Sequence, residues 1–538
     1  MAVVAPPAVE AAVEPSIPRG RRASAALWVA GTLVLLPAVA PIAFLIWSVV
    51  RPGGIDAGGI RAERLLELLG STVLLMATVT ATTLVIGSAT AWLTTRTDLS
   101  AKRIWSTLVT IPLVIPSYVG ALAMLGTSGN DGLMSRALMA VGLPSLPVFS
   151  GFWATWGALS VWNFSYVHLL AVPALRRMDP ALEEAARGLG SSRWRTITTV
   201  VLPQLRPALL GSSLLVGLYV LSDFGAVSLL RYETFTRAIY AQFRGRLDPA
   251  PALFLSGVLV IVALVLVLAE QRSRGRAALY SARPSRRPNL VRLVGWRRTA
   301  SYGFLLAVVV AALVLPLTTL VWWTARGTGM GNSIGTVGAE LVRSVSVSLT
   351  AAVITVFAAL PVAILTVRHR SRRTTLMESA AWATYSLPHL AVGLGFLVLA
   401  INFVPGIYQT VVLLVVAYAA MFMPQALAAA QSGLHQVGPN LEAASRGLGA
   451  GPAATLRRIT IPLVSRSLLA GGALVFLTAM KELPATLLLR PTGFETLAVR
   501  IWGASSELFY TEASVAALAL VAISAIPLYL LVARDLHD

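Results

Sequence analysis

The sequence contains no cysteine. Disulfides, thiolate metal sites, iron–sulfur clusters and cysteine nucleophiles are therefore excluded. Histidine is also scarce: the chain has five, and no two of them show ligand spacing such as His-x3-His. We therefore predict no metal site and no cofactor bound by this chain, and we interpret His168 and His389 as helix-packing residues.

Lysine is nearly absent, since only Lys102 and Lys481 occur. Neither ends a Gly-x4-Gly-Lys-Ser/Thr run, so the chain has no P-loop that could hold ATP phosphates. No hydrolase nucleophile elbow or paired-carboxylate arrangement is found either. The sequence thus gives no support to a membrane enzyme, and any ATP hydrolysis requires a separate subunit.

Charged residues are few as well. Charged residues make up 12% of the chain, 56% of the residues are hydrophobic and the mean hydropathy is +0.76. Soluble proteins carry about 25% charged residues, so this chain could not cover a water-facing surface. The net charge of +20 comes from arginines in short loops between apolar runs. This pattern indicates contact with membrane lipid and does not indicate nucleic acid.

Apolar runs of about 20 residues, long enough to cross a bilayer, recur along the whole chain. They lie at 25–50, 71–95, 104–126, 150–174, 207–230, 251–269, 300–323, 344–367, 376–401, 409–430, 467–489 and 512–533. We predict an all-α polytopic membrane protein with about 12 transmembrane helices. Ala38-Val39-Ala40 looks like a signal-peptidase site, but Pro41 follows it and the run continues to Val50, so an uncleaved helix is predicted.

The distribution of arginine predicts the orientation. Nine arginines lie in the polar stretch 271–298, and four more cluster between Arg368 and Arg373. Short cytoplasmic loops are enriched in Lys and Arg, so both clusters are placed inside, together with the N- and C-termini. We predict four segments: a disordered cytoplasmic N-terminus at 1–24, a six-helix repeat at 25–270, a basic cytoplasmic linker at 271–298 and a second six-helix repeat at 299–538.

The most informative feature is a duplication. Leu182–Gly190 recurs as Leu441–Gly449, with Arg187 and Arg446 separated by 259 positions. In the same register Leu202-Pro203 meets Ile461-Pro462, and Asp223 meets Glu482. Each copy lies between the fourth and fifth helix of its half, so both face the same side. Such parallel repeats are related by a pseudo-two-fold axis along the membrane normal.

Each repeated loop has the pattern of a short helix, a break and a second, amphipathic helix. Pro180 begins the first helix, which runs through Arg187, and glycines at 188 and 190 end it. Apolar stripes follow, formed by Trp194, Ile197 and Val201 in one copy and by Leu456, Ile459 and Leu463 in the other. Such a helix could lie on lipid headgroups, cap the bundle or dock on a partner. Its repetition favours a partner with two-fold symmetry.

The loop also resembles a known signature: Glu-Ala-Ala, three residues, Gly, nine residues, a hydrophobic residue, one residue and Leu-Pro. Glu184-Ala185-Ala186, Gly190 and Val200-Val201-Leu202-Pro203 fit it throughout. The chain therefore resembles the permeases of binding-protein-dependent ABC importers, and its fold is expected to be like that of type I importers.

The resemblance implies partners and roles for these residues. Two copies of a cytoplasmic ATPase, holding ATP and Mg, would dock on the loops, and an extracytoplasmic solute-binding protein would deliver substrate in the bacterial inner membrane. In the second copy Ala444, Gly449 and Pro462 fit, but Ala443 stands where the Glu belongs and Glu442 precedes it. The coupling residues implied are Glu184, Ala185, Ala186, Gly190, Pro203, Glu442, Ala444, Gly449 and Pro462.

The substrate is suggested by three further segments. Residues 111–120, 222–230 and 481–491 are similar to segments of ferric-iron importer permeases. Fused thiamine, polyamine and phosphonate permeases are close relatives of these. The resemblance therefore implies iron(III) as the substrate, with thiamine, a polyamine or a phosphonate as alternatives.

Two acids, Asp223 and Glu482, fall within predicted helices at equivalent positions. A carboxylate at the bilayer centre costs about 2.5–3.5 kcal/mol on insertion scales, so it usually faces a wet cavity or a partner. We expect the pair to line the translocation pathway. The structural alternative is that Glu482 pairs with Lys481 and Asp223 caps a broken helix. The tryptophans Trp322, Trp323 and Trp502 are interpreted as interfacial anchors.

A secondary transporter driven by an ion gradient is the alternative to an ABC importer permease. It would explain twelve helices and intramembrane acids. It would not explain twin loops with the same sequence register, and no Asp-Arg-x-Gly-Arg-Arg-like loop follows the second helix.

Overall fold

A computed structural model describes residues 23–51, 59–245, 248–274, 290–329, 337–385 and 387–535. The disordered N-terminus predicted at 1–24 lies almost wholly outside these ranges, as do linker residues 275–289. Within the described ranges the chain is helical, and its β-type pairing is one isolated bridge between Thr97 and Val291. The predicted all-α fold is confirmed.

Among the described residues, each half contains twelve helices. Those of the first half are α1 (Ala25–Val50), α2 (Ala62–Arg96), α3 (Lys102–Thr110), α4 (Ser117–Thr127), α5 (Leu133–Ala140), α6 (Gly151–Arg177), α7 (Pro180–Gly188), α8 (Arg193–Thr196), α9 (Leu202–Ser222), α10 (Gly225–Leu229), α11 (Phe235–Gly245) and α12 (Ala250–Arg274). Those of the second half are α13 (Trp296–Val309), α14 (Leu315–Gly329), α15 (Val337–Arg368), α16 (Arg372–Tyr385), α17 (His389–Phe403), α18 (Val411–Gln436), α19 (Pro439–Gly447), α20 (Pro452–Thr455), α21 (Ile461–Met480), α22 (Pro484–Leu489), α23 (Leu497–Ser506) and α24 (Tyr510–Asp535). Short 3-10 turns lie at Ile111–Val114 and Pro405–Ile407, and π turns at Ile197–Val201, Val310–Val314 and Leu456–Thr460.

Ten helical spans in the described part of the chain are long and apolar enough to cross a membrane. Two further pairs of helices are sharply bent, and the number is twelve when each bent pair is counted as one span. The predicted twelve are thus found, but the runs 104–126 and 376–401 are not straight. They bend by 95° between α3 and α4 and by 105° between α16 and α17. Pro116 and Pro388 stand at the N-caps of α4 and α17. Proline has no N–H to donate and disfavours a helical residue before it, so each run breaks there.

The fifth span of each half differs from its predicted bounds at both ends. The runs predicted at 207–230 and 467–489 begin earlier, at Trp194 and Leu456, and end at Ser222 and Met480. The amphipathic helix of each loop is therefore continuous with the membrane span through a π turn. Beyond each end the chain breaks and restarts as the short helix α10 or α22.

The first span of each half packs across the other half. Helix α1 packs on α15, α16 and α17 of the second half as well as on α12 of its own. In the same way α14 packs on α4 of the first half. At Gly395 in α17 an added Cβ would lie 3.0 Å from the Pro41 side chain, so glycine permits this close approach. The two halves are thus interlocked around the centre of the bundle.

Candidate functional site

The two repeated loops have the same backbone. Helix α7 begins after Asp179, whose side chain accepts a hydrogen bond from the Ala181 amide at 2.9 Å. It is terminated by Gly190 with φ +85°, and the Ser191 amide donates to the Ala186 carbonyl at 3.0 Å. Gly449 has φ +88° at the equivalent place after α19. Only glycine adopts this left-handed C-terminal cap without strain, which explains why the sequence repeats it.

Leucine side chains project into solvent at the tip of both loops. Leu189 is 88% exposed and Leu448 is 90% exposed, and each directly precedes the left-handed glycine. Leu182 and Leu441 are also exposed on α7 and α19. Paired exposed leucines on two equivalent loops make a small apolar surface that is repeated about the pseudo-two-fold axis.

The predicted coupling residues lie on these loops. The structure places Glu184, Ala185, Ala444, Pro203 and Pro462 at exposed positions. Ala186 and Glu442 are half-buried. Pro203 and Pro462 each lie just after the π turn, in the first turn of the long helices α9 and α21. Because proline has no N–H, it donates no hydrogen bond to the preceding turn of the continuous helix.

Each predicted apolar stripe is only partly covered within the chain: Val201 is buried, and Ile197, Leu456 and Ile459 are half-buried. Trp194 and Leu463 are exposed, whereas the buried positions are Thr196, Val201 and Leu205 in the first copy. The second copy buries Thr455, Thr460 and Val464. A π turn accommodates one extra residue, so the buried face is spaced by five and four residues instead of three and four.

Each loop is joined to the second span of its half by an ion pair that is at least half-buried. Arg96, the last residue of α2, contacts Glu183 and is 1% exposed. Arg368, the last residue of α15, donates to the Glu442 carboxylate at 3.1 Å and to the Val437 carbonyl at 2.8 Å. Glu442 is therefore the equivalent of Glu183, not a displaced copy of Glu184. The sequence indicated Arg368 only as part of a cytoplasmic cluster and did not single out Arg96, although each directly follows the second apolar run of its half.

The two intramembrane acids do not lie inside helices, contrary to the prediction. Asp223 stands in the break between α9 and α10, and its Oδ1 accepts hydrogen bonds from the amides of Ala226 at 3.0 Å and Val227 at 3.3 Å. Glu482 stands in the break between α21 and α22, and its Oε1 accepts from the Ala485 amide at 3.1 Å. The capping alternative considered for Asp223 therefore holds, and it holds for Glu482 as well.

The second carboxylate oxygen of each acid contacts the residue that directly follows Pro116 or Pro388, the prolines at which the bent spans break. Ser117 at the start of α4 donates to Oδ2 of Asp223. The Nδ1 atom of His389 at the start of α17 lies 2.8 Å from Oε2 of Glu482. His389 is thus a partner of an acid rather than a simple packing residue. His168 does pack between helices, held by Thr90 and Ser106.

The two halves meet beside these acids. Lys481 does not pair with the neighbouring Glu482; its ammonium donates to the Leu113 carbonyl of the first half at 3.0 Å. The Tyr118 hydroxyl donates to the Lys481 carbonyl at 3.4 Å. Asp223 and Glu482 are only 7% and 6% exposed. The bundle is therefore closed at its centre.

Aromatic side chains add to this closed centre. The rings of Phe224 and Trp502 lie 4.9 Å apart across the boundary between the halves. Trp502 is thus an internal contact, and its prediction as an interfacial anchor is wrong. Trp323 also crosses the boundary, donating to the Gly126 carbonyl at 3.0 Å. In the part of the chain that the structure describes, no group of three His, Asp or Glu side chains is arranged to hold a metal ion.

Comparison with known proteins assigns the chain to a family. The family described as binding-protein-dependent transport system inner membrane component matches residues 83–269 and again residues 351–534. The chain belongs to this family. It carries the family domain twice, as the internal duplication predicts, and it is a permease subunit of an inner-membrane transport system.

The permease is similar to curated proteins over most of its length. It is 31% identical to an Fe(3+)-transport system permease protein of Haemophilus influenzae, over 87% of this chain and 90% of that one. It is 26% identical to a putative ferric transport system permease protein of the same species, over 75% of this chain and 67% of that one. A crystal structure of a bacterial ABC transporter involved in alginate import matches with 18% identity and a TM-score of 0.37, over 47% of this chain and 94% of that chain.

Proposed function

We propose that the permease forms the complete membrane pathway of an ATP-driven ABC importer, with both halves fused in one chain. The observation that carries the proposal is the pair of equivalent loops with exposed leucines at Leu189 and Leu448. Apolar side chains held out by a fixed backbone cap are typical of protein–protein contact. Two such loops fit two copies of one ATPase, which would hold ATP and Mg.

The loops are built to transmit force in this proposal. Because each amphipathic helix continues through a π turn into α9 or α21, a displaced loop moves a membrane span directly. Closure of the ATPase dimer on ATP would draw the loops together and rock the halves to open the pathway outward. ATP shifts this equilibrium only because it favours one arrangement of the coupled ATPases.

The orientation follows from charge. The loops lie on the same side as the arginine cluster at Arg368–Arg373, which we place in the cytoplasm together with both chain termini. A solute-binding protein would then deliver substrate at the opposite face of a bacterial plasma membrane. We propose no cofactor on this chain.

We place Asp223 and Glu482 on the closed translocation pathway. Both are buried beside the cross-half contacts of Lys481 with Leu113 and Tyr118, which must separate when the halves rock. In the closed state their carboxylates cap α10 and α22 and bind the broken spans to each other. Opening would expose the same oxygens to the pathway.

The substrate we propose is iron(III). Both Haemophilus relatives have ferric transport in their names, and the breaks that hold the acids fall in the segments similar to ferric-iron permeases. Iron(III) is a hard cation, and carboxylate oxygens suit hard cations. Thiamine, a polyamine or a phosphonate would use the same machine.

The test is uptake by proteoliposomes that contain the permease, its ATPase and its binding protein. Radioactive iron(III) should enter only when ATP and the ATPase are both present, and thiamine, spermidine and a phosphonate are offered in parallel. Uptake by the permease alone, driven by an ion gradient, would establish a secondary transporter. ATP-dependent uptake of another solute would retain the importer and replace the substrate.

A further inference from the structure

Two arginines outside the loop signature form equivalent contacts in the two halves. Arg96 and Arg368 are the last residues of α2 and α15, and they lie 272 positions apart. Each makes an ion pair with a loop glutamate, Glu183 or Glu442. Arg96 is buried and the other three residues are half-buried. Each charge therefore loses part of its hydration, and close pairing must offset that cost, so a cavity-filling role alone does not explain the pairs.

The ion pair is present in both halves although its surroundings differ. Glu184 in the first loop corresponds to Ala443 in the second, and Ser117 corresponds to His389, yet the Arg–Glu pair occurs in both. In the first half Arg96 also lies over the Trp92 ring at 5.6 Å. In the second half Thr460 of the π turn donates to Glu442 at 3.2 Å. Two differently supported pairs at equivalent places indicate a shared task.

The first pair has a further connection. The Val291 amide donates to the Arg96 carbonyl at 2.8 Å, and the Leu293 amide donates to the Asp98 side chain at 2.8 Å. These contacts join the end of α2 to the segment that precedes α13. A displacement at Arg96 is therefore passed to the start of the second half as well.

We propose that the Arg96–Glu183 and Arg368–Glu442 pairs are positioning struts that make α2 and α15 move with the coupling loops. This inference rests on the proposed function. Without the struts a displaced loop would move α9 or α21 but not α2 or α15, and ATP would be hydrolysed without moving the whole half. The four residues act through the loops and contact neither substrate nor nucleotide.

The first experiment replaces both partners with apolar residues of similar length, because a lone buried charge could prevent folding. In the combined variant Arg96→Met, Glu183→Met, the ATPase should co-purify as with the wild type, since neither residue is among the predicted coupling residues. Substrate uptake per ATP hydrolysed should fall about fivefold or more. A fivefold change is at the lower end of the effects that coupling between two sites typically produces. The exchange Arg96→Glu with Glu183→Arg should recover uptake better than either single change. Arg64→Gln is the matched control, since it breaks solvent-exposed pairs with Glu67 and Glu233 at the other end of α2.

The second experiment uses spin labels, which the absence of native cysteine makes selective. Thr199→Cys with Arg458→Cys reports the distance between loops, and Ile104→Cys with Leu376→Cys reports the membrane helices that follow α2 and α15; all four positions are exposed. In the otherwise wild-type complex ATP should change both distances, and in the methionine variant only the first.

The strut proposal would be contradicted if the methionine variant kept its uptake per ATP, or if ATP still changed both the loop distance and the membrane-helix distance in that variant. If the wild-type permease binds no ATPase at all, the proposed function fails instead, so the two failures are distinguishable.

Discussion

His389 lies with its Nδ1 atom 2.8 Å from the carboxylate of Glu482, and Ser117 makes the equivalent contact with Asp223. Each of these residues directly follows the proline at which its span breaks, Pro388 or Pro116. Each acid stands in the break of another span. In both halves, therefore, two broken helices are held to each other by one carboxylate in the closed centre of the bundle.

Removing either carboxylate should impair transport without releasing the ATPase. Asp223→Ala leaves the Ala226 and Val227 amides without their acceptor, and loss of such a cap costs about 0.5–2 kcal/mol. Asp223→Asn keeps an acceptor and should lower the unfolding temperature less. Uptake, ATPase co-purification and thermal unfolding in detergent are compared for these variants and for Glu482→Ala. Full uptake by both alanine variants would remove the acids from the pathway.

The left-handed glycines should be required for ATPase association. Gly190→Val and Gly449→Val place a branched side chain at φ +85° and +88°, at a cost of roughly 1–2 kcal/mol of local strain. The loop tips should reshape while the membrane bundle stays folded. Gly142→Val is the control, because Gly142 also has positive φ but lies in the loop after α5. Equal ATPase recovery with all three variants would count against docking by the loops.

The exposed leucines should contribute to binding but not to folding. Leu189→Glu and Leu448→Glu introduce charge at side chains that are almost wholly solvated, so thermal stability should stay within about 0.5 kcal/mol of the wild type. ATPase affinity should fall at least about tenfold, because the introduced carboxylate would be desolvated without a partner in an apolar contact. Leu143→Glu, at an exposed leucine of the α5–α6 loop, provides the comparison. If titration of the ATPase gives the same dissociation constant for the wild type and all three glutamate variants, the exposed leucines do not form the docking surface.

Interlocking of the halves should be sensitive to a single glycine. Gly395→Leu forces side-chain atoms into Pro41 of α1 and should destabilise the bundle by about 1–3 kcal/mol. Gly303→Leu is its control, since nothing lies within 4 Å of a Cβ built there. Thermal unfolding in detergent measures both. A Gly395 variant as stable as the Gly303 variant would show that α1 does not pack against α17.

The sequence predicts the large-scale organisation because the bilayer imposes it. Apolar runs of fixed length identify the spans, and the register that links Gly190 to Gly449 identifies the duplication. Hydropathy does not find the breaks at Asp223 and Glu482, because apolar residues continue on both sides of them. What breaks the helix is local: a carboxylate that accepts the amides of the next turn.

Other features cannot be predicted from the sequence, because they depend on residues far apart in the chain or on a local change in helical periodicity. The pairing of Arg96 with Glu183 joins two helices far apart in sequence, and no local pattern encodes it. The π turn at Ile197–Val201 places the buried residues Thr196 and Val201 five positions apart, a spacing that α-helical periodicity does not predict. His389 is inconspicuous in the sequence, because its partner lies in the next but one apolar run.

Cross-linking from the loop tips tests the central claim most directly. In the assembled transporter, Leu189→Cys and Leu448→Cys are each modified with a photoactivatable thiol reagent, since no native cysteine competes. We expect each position to attach to an ATPase subunit, and neither cysteine to react with a membrane-impermeant thiol reagent added outside intact cells. Labelling from outside, or a tip that attaches to no ATPase, would contradict the account.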